Sequence, residues 1–100
     1  MDTDQLIAHS RARFEHEAAR RTLREKYQAK LTFAHAGGLW SAGPELLNLL
    51  ALCAGETVVQ DLYLNPVKIQ AQELHALALQ RWQEQMNAWL VEYNQLNDRR

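Results

Sequence analysis

Four histidines, one cysteine and two serines are the side chains through which this 100-residue chain could hold a metal or attack a bond. His9 and His16 share a helix face but stand seven residues apart, with no third ligand near them. A zinc site calls for a His-x3-His pair, or for histidines clustered with cysteine or carboxylates. His35 and His75 complete the set without forming such a cluster. Ser10 and Ser41 both lack the strand-to-helix context of a nucleophile elbow. Cys53 lies in "ELLNLLALCAG", where apolar surroundings disfavour the thiolate. Carboxylates are not paired anywhere along the chain. The expectation is a protein that is not an enzyme, with no metal, no cofactor and no small-molecule substrate.

One stretch, "FAHAGGLWSAGPE" over residues 33–45, has the glycine content of a ligand loop. A phosphate-binding loop presents backbone N–H groups after a strand, usually with a lysine and a Ser/Thr leading into a helix. Here the preceding residues read as helical and the lysine is missing. The stretch therefore reads as a helix-to-helix connection. Gly37-Gly38 supplies the positive φ of a helix C-cap, and Gly43-Pro44-Glu45 starts the next helix. Trp40 is expected to plug the corner between them.

Charge is the third possible source of function. The net charge is −1, unevenly placed. Residues 11–30 carry Arg11, Arg13, Arg20, Arg21, Arg24, Lys26 and Lys30 against Glu15, Glu17 and Glu25. Over residues 31–98 the balance reverses, with Lys68 and Arg81 facing seven carboxylates. A basic first third suits a solvated helix face, a protein partner or second subunit with acidic groups, or nucleic acid. Arg13, Arg20 and Arg24 lie on one side of the helix and would give salt-sensitive, sequence-independent phosphate binding. The near-neutral total and the glutamates inside the basic run weigh against that reading.

The elements that position these residues follow from periodicity. A chain this short makes one domain, residues 1–100, with one modest core. The first helix is expected over 3–36, opened by Asp2 and Gln5 as a capping pair with Asp4 in the first turn. Its firm stripe is Leu23, Tyr27, Leu31 and Ala34; a sparser stripe of Ile7, Phe14 and Ala18 is rotated away from it. The first twenty residues are therefore expected to project from a packed core of 21–100, and to need a partner. Residues 44–54 read as a short helix, apolar nearly all round and so buried. "ETVVQDLYLNPVKI" reads as a hairpin, 57–62 against 66–70, turning at Asn65-Pro66. The last helix, about 71–97, has the longest stripe: Leu74, Ala78, Trp82, Met86, Trp89, Tyr93 and Leu96. The fold class expected is mostly α (α+β), with two long helices packed as an antiparallel pair and the short helix and hairpin between them. The start "MDTDQLIAHS" lacks a signal-peptide pattern, and the longest apolar run is too short to span a bilayer. No membrane association and no signal-dependent secretion are expected.

The stretches "RRTLREKYQAKLTFAHAGGLW" and "DLYLNPVKI…RWQEQMNAWLVEYNQL" resemble small proteins of contractile-tailed bacteriophages, including phages of cyanobacteria. The similarity runs over residues 11–96, and its most distinctive pieces are "FAHAGGLW", the Tyr63-Leu64-Asn65-Pro66 turn and "QEQMNAWLVEY". The resemblance implies a viral context, in the host cytoplasm or the virion, and brings no catalytic residues. In that context the expected role is a virion component or assembly factor, associating with itself or another phage protein. A phage-encoded inhibitor of a host protein is the alternative, and non-specific nucleic-acid binding a further one. The candidate partner interface is Ile7, Phe14 and Ala18 with Arg11, Arg13, Arg20, Arg21 and Arg24.

Overall fold

The computed structural model describes residues 2–98. In chain order it contains α1 (Thr3–Ala29), β1 (Thr32–His35), β2 (Gly38–Ser41), α2 (Pro44–Ala51), β3 (Glu56–Gln60), β4 (Pro66–Gln70) and α3 (Ala71–Asp98). The fold is mostly α, with α1 and α3 packed side by side and α2 short. Their direction is antiparallel: Leu31, just past the end of α1, packs with Ala78 and Trp82, whereas Arg20 reaches Tyr93. Asp2 is the N-cap of α1, its carboxylate accepting from the Gln5 amide at 2.8 Å.

The first helix stops seven residues earlier than periodicity indicates, and the reason is a second hairpin. β1 pairs antiparallel with β2 in the register Thr32↔Ser41, Phe33↔Trp40, Ala34↔Leu39, His35↔Gly38. Ala36 and Gly37 form its two-residue turn, with φ of 53° and 81°. Positive φ at both centres is the requirement of a type I′ turn, whose twist matches that of paired strands. "GGLWSAG" is thus no helix-to-helix connection. Leu31 and Ala34 continued the i+4 spacing from Tyr27, but "LTFAH" also alternates, and strand pairing won.

The two glycines do different work. Gly37 takes the left-handed backbone; a Cβ on Gly38 would sit 2.9 Å from Trp40 Cζ2, so the bare backbone lets the indole lie flat against it. Trp40 is indeed buried, its Nε1 donating to the His35 carbonyl at 2.9 Å. It joins Leu50, Val59, Ile69, Ala71 and Leu74 in the main core. A second cluster, Leu31, Ala42 and Ala78, extends that core towards Trp82 and Met86.

The second hairpin pairs Glu56↔Gln70 through Gln60↔Pro66, ending two residues earlier than expected on its first strand. It runs straight into α3, whose first turn is held by the Gln70 side chain accepting from the Gln72 amide at 2.9 Å. Its inner face, Val59 and Ile69, packs in the main core, and that packing supports two strands that are marginal alone. Helix α2 is narrower in its burial than its composition indicates. Leu50 is buried and Leu46 and Leu47 half-buried, but Leu49 and Leu52 are exposed, and the helix ends at Ala51.

Candidate interaction surfaces

Helix α1 places most of the candidate residues on an arm. All of residues 3–15 are exposed, with Ile7 at 51 %, Phe14 at 68 % and, beside them, Leu6 at 55 %. Leu6 belongs to this apolar surface and falls outside the strict stripe from which the others were read. Ala18 is half-buried. Arg11, Arg21 and Arg24 are exposed, and Arg13 pairs along the helix with Glu17 at 3.3 Å. Arg20 stands apart from that group. Its guanidinium lies 5.6 Å from the Tyr93 ring centre and 3.4 Å from the Tyr93 hydroxyl, on the side of α1 that meets α3. Charge and spacing alone could not separate Arg20 from its neighbours.

The seam between α1 and α3 is anchored by one polar node. Glu92 accepts from Lys26 Nζ at 2.9 Å and from the Tyr27 hydroxyl at 2.8 Å. The Lys26 hydrogen bond, then that of Tyr27, holds the Glu92 carboxyl below its ordinary range. The same bonds raise Lys26 and Tyr27, because each is steadied in its protonated form. His16 Nε2 and Trp89 Nε1 are sequestered from solvent without a hydrogen-bond partner.

The long stripe of α3 is only partly covered. Leu74 and Ala78 are fully buried, whereas Trp82, Met86, Trp89, Tyr93 and Leu96 are half-buried. Met86, Trp89, Leu90 and Tyr93 line an open groove along the C-terminal half of the helix. The face expected to be core throughout is fully buried at Leu74 and Ala78 and half-buried from Trp82 onward.

A third surface lies at the opposite end of the molecule. Asp61 is buried, and its carboxylate accepts from the amides of Leu39 (3.1 Å), Tyr63 (3.0 Å) and Asn65 (3.0 Å). The Leu39 bond, ahead of those from Asn65 and Tyr63, holds its carboxyl below the usual range. The Leu62 amide returns a bond to the Leu39 carbonyl at 2.9 Å, so the two hairpins are fastened together here. The loop that Asp61 shapes carries Leu62, Tyr63 and Leu64 outward, Leu64 with a φ of 64°. Sequence reading missed Asp61. The available signal was an aspartate four residues before Asn-Pro, a pattern in which the side chain caps the turn's amides.

Among the described residues no group of three or more His, Cys, Asp or Glu side chains is placed to hold a metal ion. Cys53 is half-buried and its thiol hydrogen-bonds the Leu49 carbonyl. Among the described residues no helix is long and apolar enough to cross a membrane. No family model, curated protein or solved structure matches the chain.

Proposed function

We propose that the protein is a non-enzymatic structural or assembly protein of a contractile-tailed phage, acting by helix-mediated association with protein. The observation that carries this reading is the amount and kind of surface on display. The chain exposes 7216 Å², whereas a compact monomer of its 11.6 kDa exposes about 5,800 Å². Its radius of gyration is 19.3 Å, against about 13 Å for a compact 100-residue domain. The molecule is 65 Å long, and its helical arm exposes Leu6, Ile7 and Phe14. An isolated helix segment of this length is marginal in water and gains order from packing.

Nucleic-acid binding has less to support it. Of the three arginines assigned to that role, Arg13 is engaged by Glu17 and Arg20 by Tyr93. The viral setting rests on the resemblance in "FAHAGGLW" and "QEQMNAWLVEY". Quantitative mass spectrometry of purified particles and of assembly intermediates from infected cells tests the proposal. It predicts the protein in one of those fractions at a fixed ratio to a known structural protein. Recovery only in complex with a host enzyme would overturn it in favour of an inhibitor.

A further inference from the structure

The arm and the α3 groove are complementary, and we infer that they are the two halves of one interface between two copies of this chain. The inference rests on the association reading above and names its partner: each arm lies along the other copy's α3, across Met86, Trp89, Leu90 and Tyr93.

Length is the first support. Ala19 and Leu23 line one cleft with Leu96, and the hydrogen bonds between the long helices run from Arg20–Tyr93 to Lys26–Glu92. Residues 3–15, all of them exposed, make a segment about 20 Å long at 1.5 Å per residue. The partly covered stretch of α3, from Trp82 to Asp98, is about 25 Å by the same rise. A two-fold axis crossing α1 near Ala18 lays each arm along the partner's α3, so the contact closes on itself as a symmetric dimer. Alanine at the crossing lets the two α1 helices approach closely. Ile7 and Phe14 are seven residues apart, as are Met86 and Tyr93, so anchors and groove repeat over the same two turns.

Area is the second. The surface in excess of a compact monomer is about 1,400 Å² per chain, more than the roughly 800 Å² each partner gives to a standard interface.

Site-directed cross-linking on the full chain tests the pairing. In a Cys53→Ala background, chains carrying Phe14→Cys and chains carrying Leu90→Cys are mixed and oxidised. Both positions are exposed, and circular dichroism confirms that each variant folds. The mixture should give a covalent heterodimer, and each variant alone should give little. Phe14 is four residues from the axis, so its two copies lie about 12 Å apart along the helix, beyond the roughly 7 Å between Cα atoms that a disulfide spans. Sedimentation of the background chain should give the dimer mass. Phe14→Cys cross-linking to itself as well as to Leu90→Cys would overturn the inference in favour of arm-to-arm pairing. A monomer mass at the highest soluble concentration would overturn it too, and if that monomer is still found in phage particles only this inference falls.

Discussion

Replacing Trp40 by alanine should almost dissolve the head of the molecule. The indole is 2 % exposed, lies against Gly38 and Val67, and sits among Leu50, Val59, Ile69 and Leu74. Deleting a buried aromatic of this kind costs about 3–5 kcal/mol. A small domain is stable by only about 5–15 kcal/mol in total, so the loss is a large share of it. At roughly 4–8 °C per kcal/mol for a domain of this size, the midpoint should fall by at least about 12 °C. Trp40→Phe separates the contributions. It keeps most of the apolar bulk but leaves the His35 carbonyl without its indole partner, a loss of about 1–3 kcal/mol. Phe14→Ala is the matched control on the arm, expected within about 0.5 kcal/mol of the parent. Urea titrations followed by far-ultraviolet circular dichroism measure all three. If Trp40→Ala unfolds at the same urea concentration as Phe14→Ala, Trp40 is not the centre of the core and the burial reasoning fails.

Asp61→Ala strips the acceptor from three amides and should lower the melting temperature and increase hydrogen exchange at Leu39, Tyr63 and Asn65. Because the folded carboxyl titrates below its unfolded value, its contribution is present above the unfolded pKa and is lost as pH falls through the folded one. The parent's stability should therefore drop on acidification, and Asp61→Asn should flatten that limb; equal slopes would refute it. Ala36→Gly removes a side chain from the left-handed region, where it costs roughly 1–2 kcal/mol, so the variant should melt higher, and a lower melting point would show the turn misread. Trp89→Ala removes a half-buried ring and should cost less than Trp40→Ala, below about 3 kcal/mol; an equal loss would mean that α3 is more fully covered in the monomer than its exposure indicates. Fluorescence anisotropy with labelled duplex and single strands should show no tight binding at physiological salt, and tight binding there would restore the nucleic-acid reading.

The long periodic elements were legible in the sequence, and the places where two periods compete were not. The seven-residue stripe from Leu74 to Leu96 located α3 to within a residue of its observed end, because a four-and-three spacing over six turns has no strand alternative. The Asp2 cap likewise marked the start of α1. At Leu31–Ala34 helix and strand patterns coincide, and only the pairing with Gly38–Ser41 decides between them. That pairing depends on Ala36 accepting a positive φ, which alanine rarely does and composition does not announce. Extent of burial was less legible than pattern. Leu49 and Leu52 look like core in α2, and Trp89 and Tyr93 look like core in α3, because apolar periodicity marks a face that wants covering without saying what covers it. Of the candidate interface, Ile7, Phe14, Arg11, Arg21 and Arg24 are found exposed, whereas Arg20 turns towards Tyr93 and Ala18 is half-buried. Leu6 was unread, and Leu62, read as the end of the hairpin's first strand, lies in the loop beyond it.

The arm's role is tested most directly by removing it. Deletion of residues 1–15 takes away side chains that are exposed along α1 and leaves the Arg20, Lys26 and Tyr27 hydrogen bonds to α3 in place. Thermal denaturation and multi-angle light scattering on the truncated and full chains measure folding and association together. The truncated chain should melt cooperatively within a few degrees of the parent while its mass falls from the dimer to the monomer. A truncated chain that cannot fold would place Ile7 and Phe14 in the domain's own core, and an unchanged mass would show that the arm is not where the protein meets its partner.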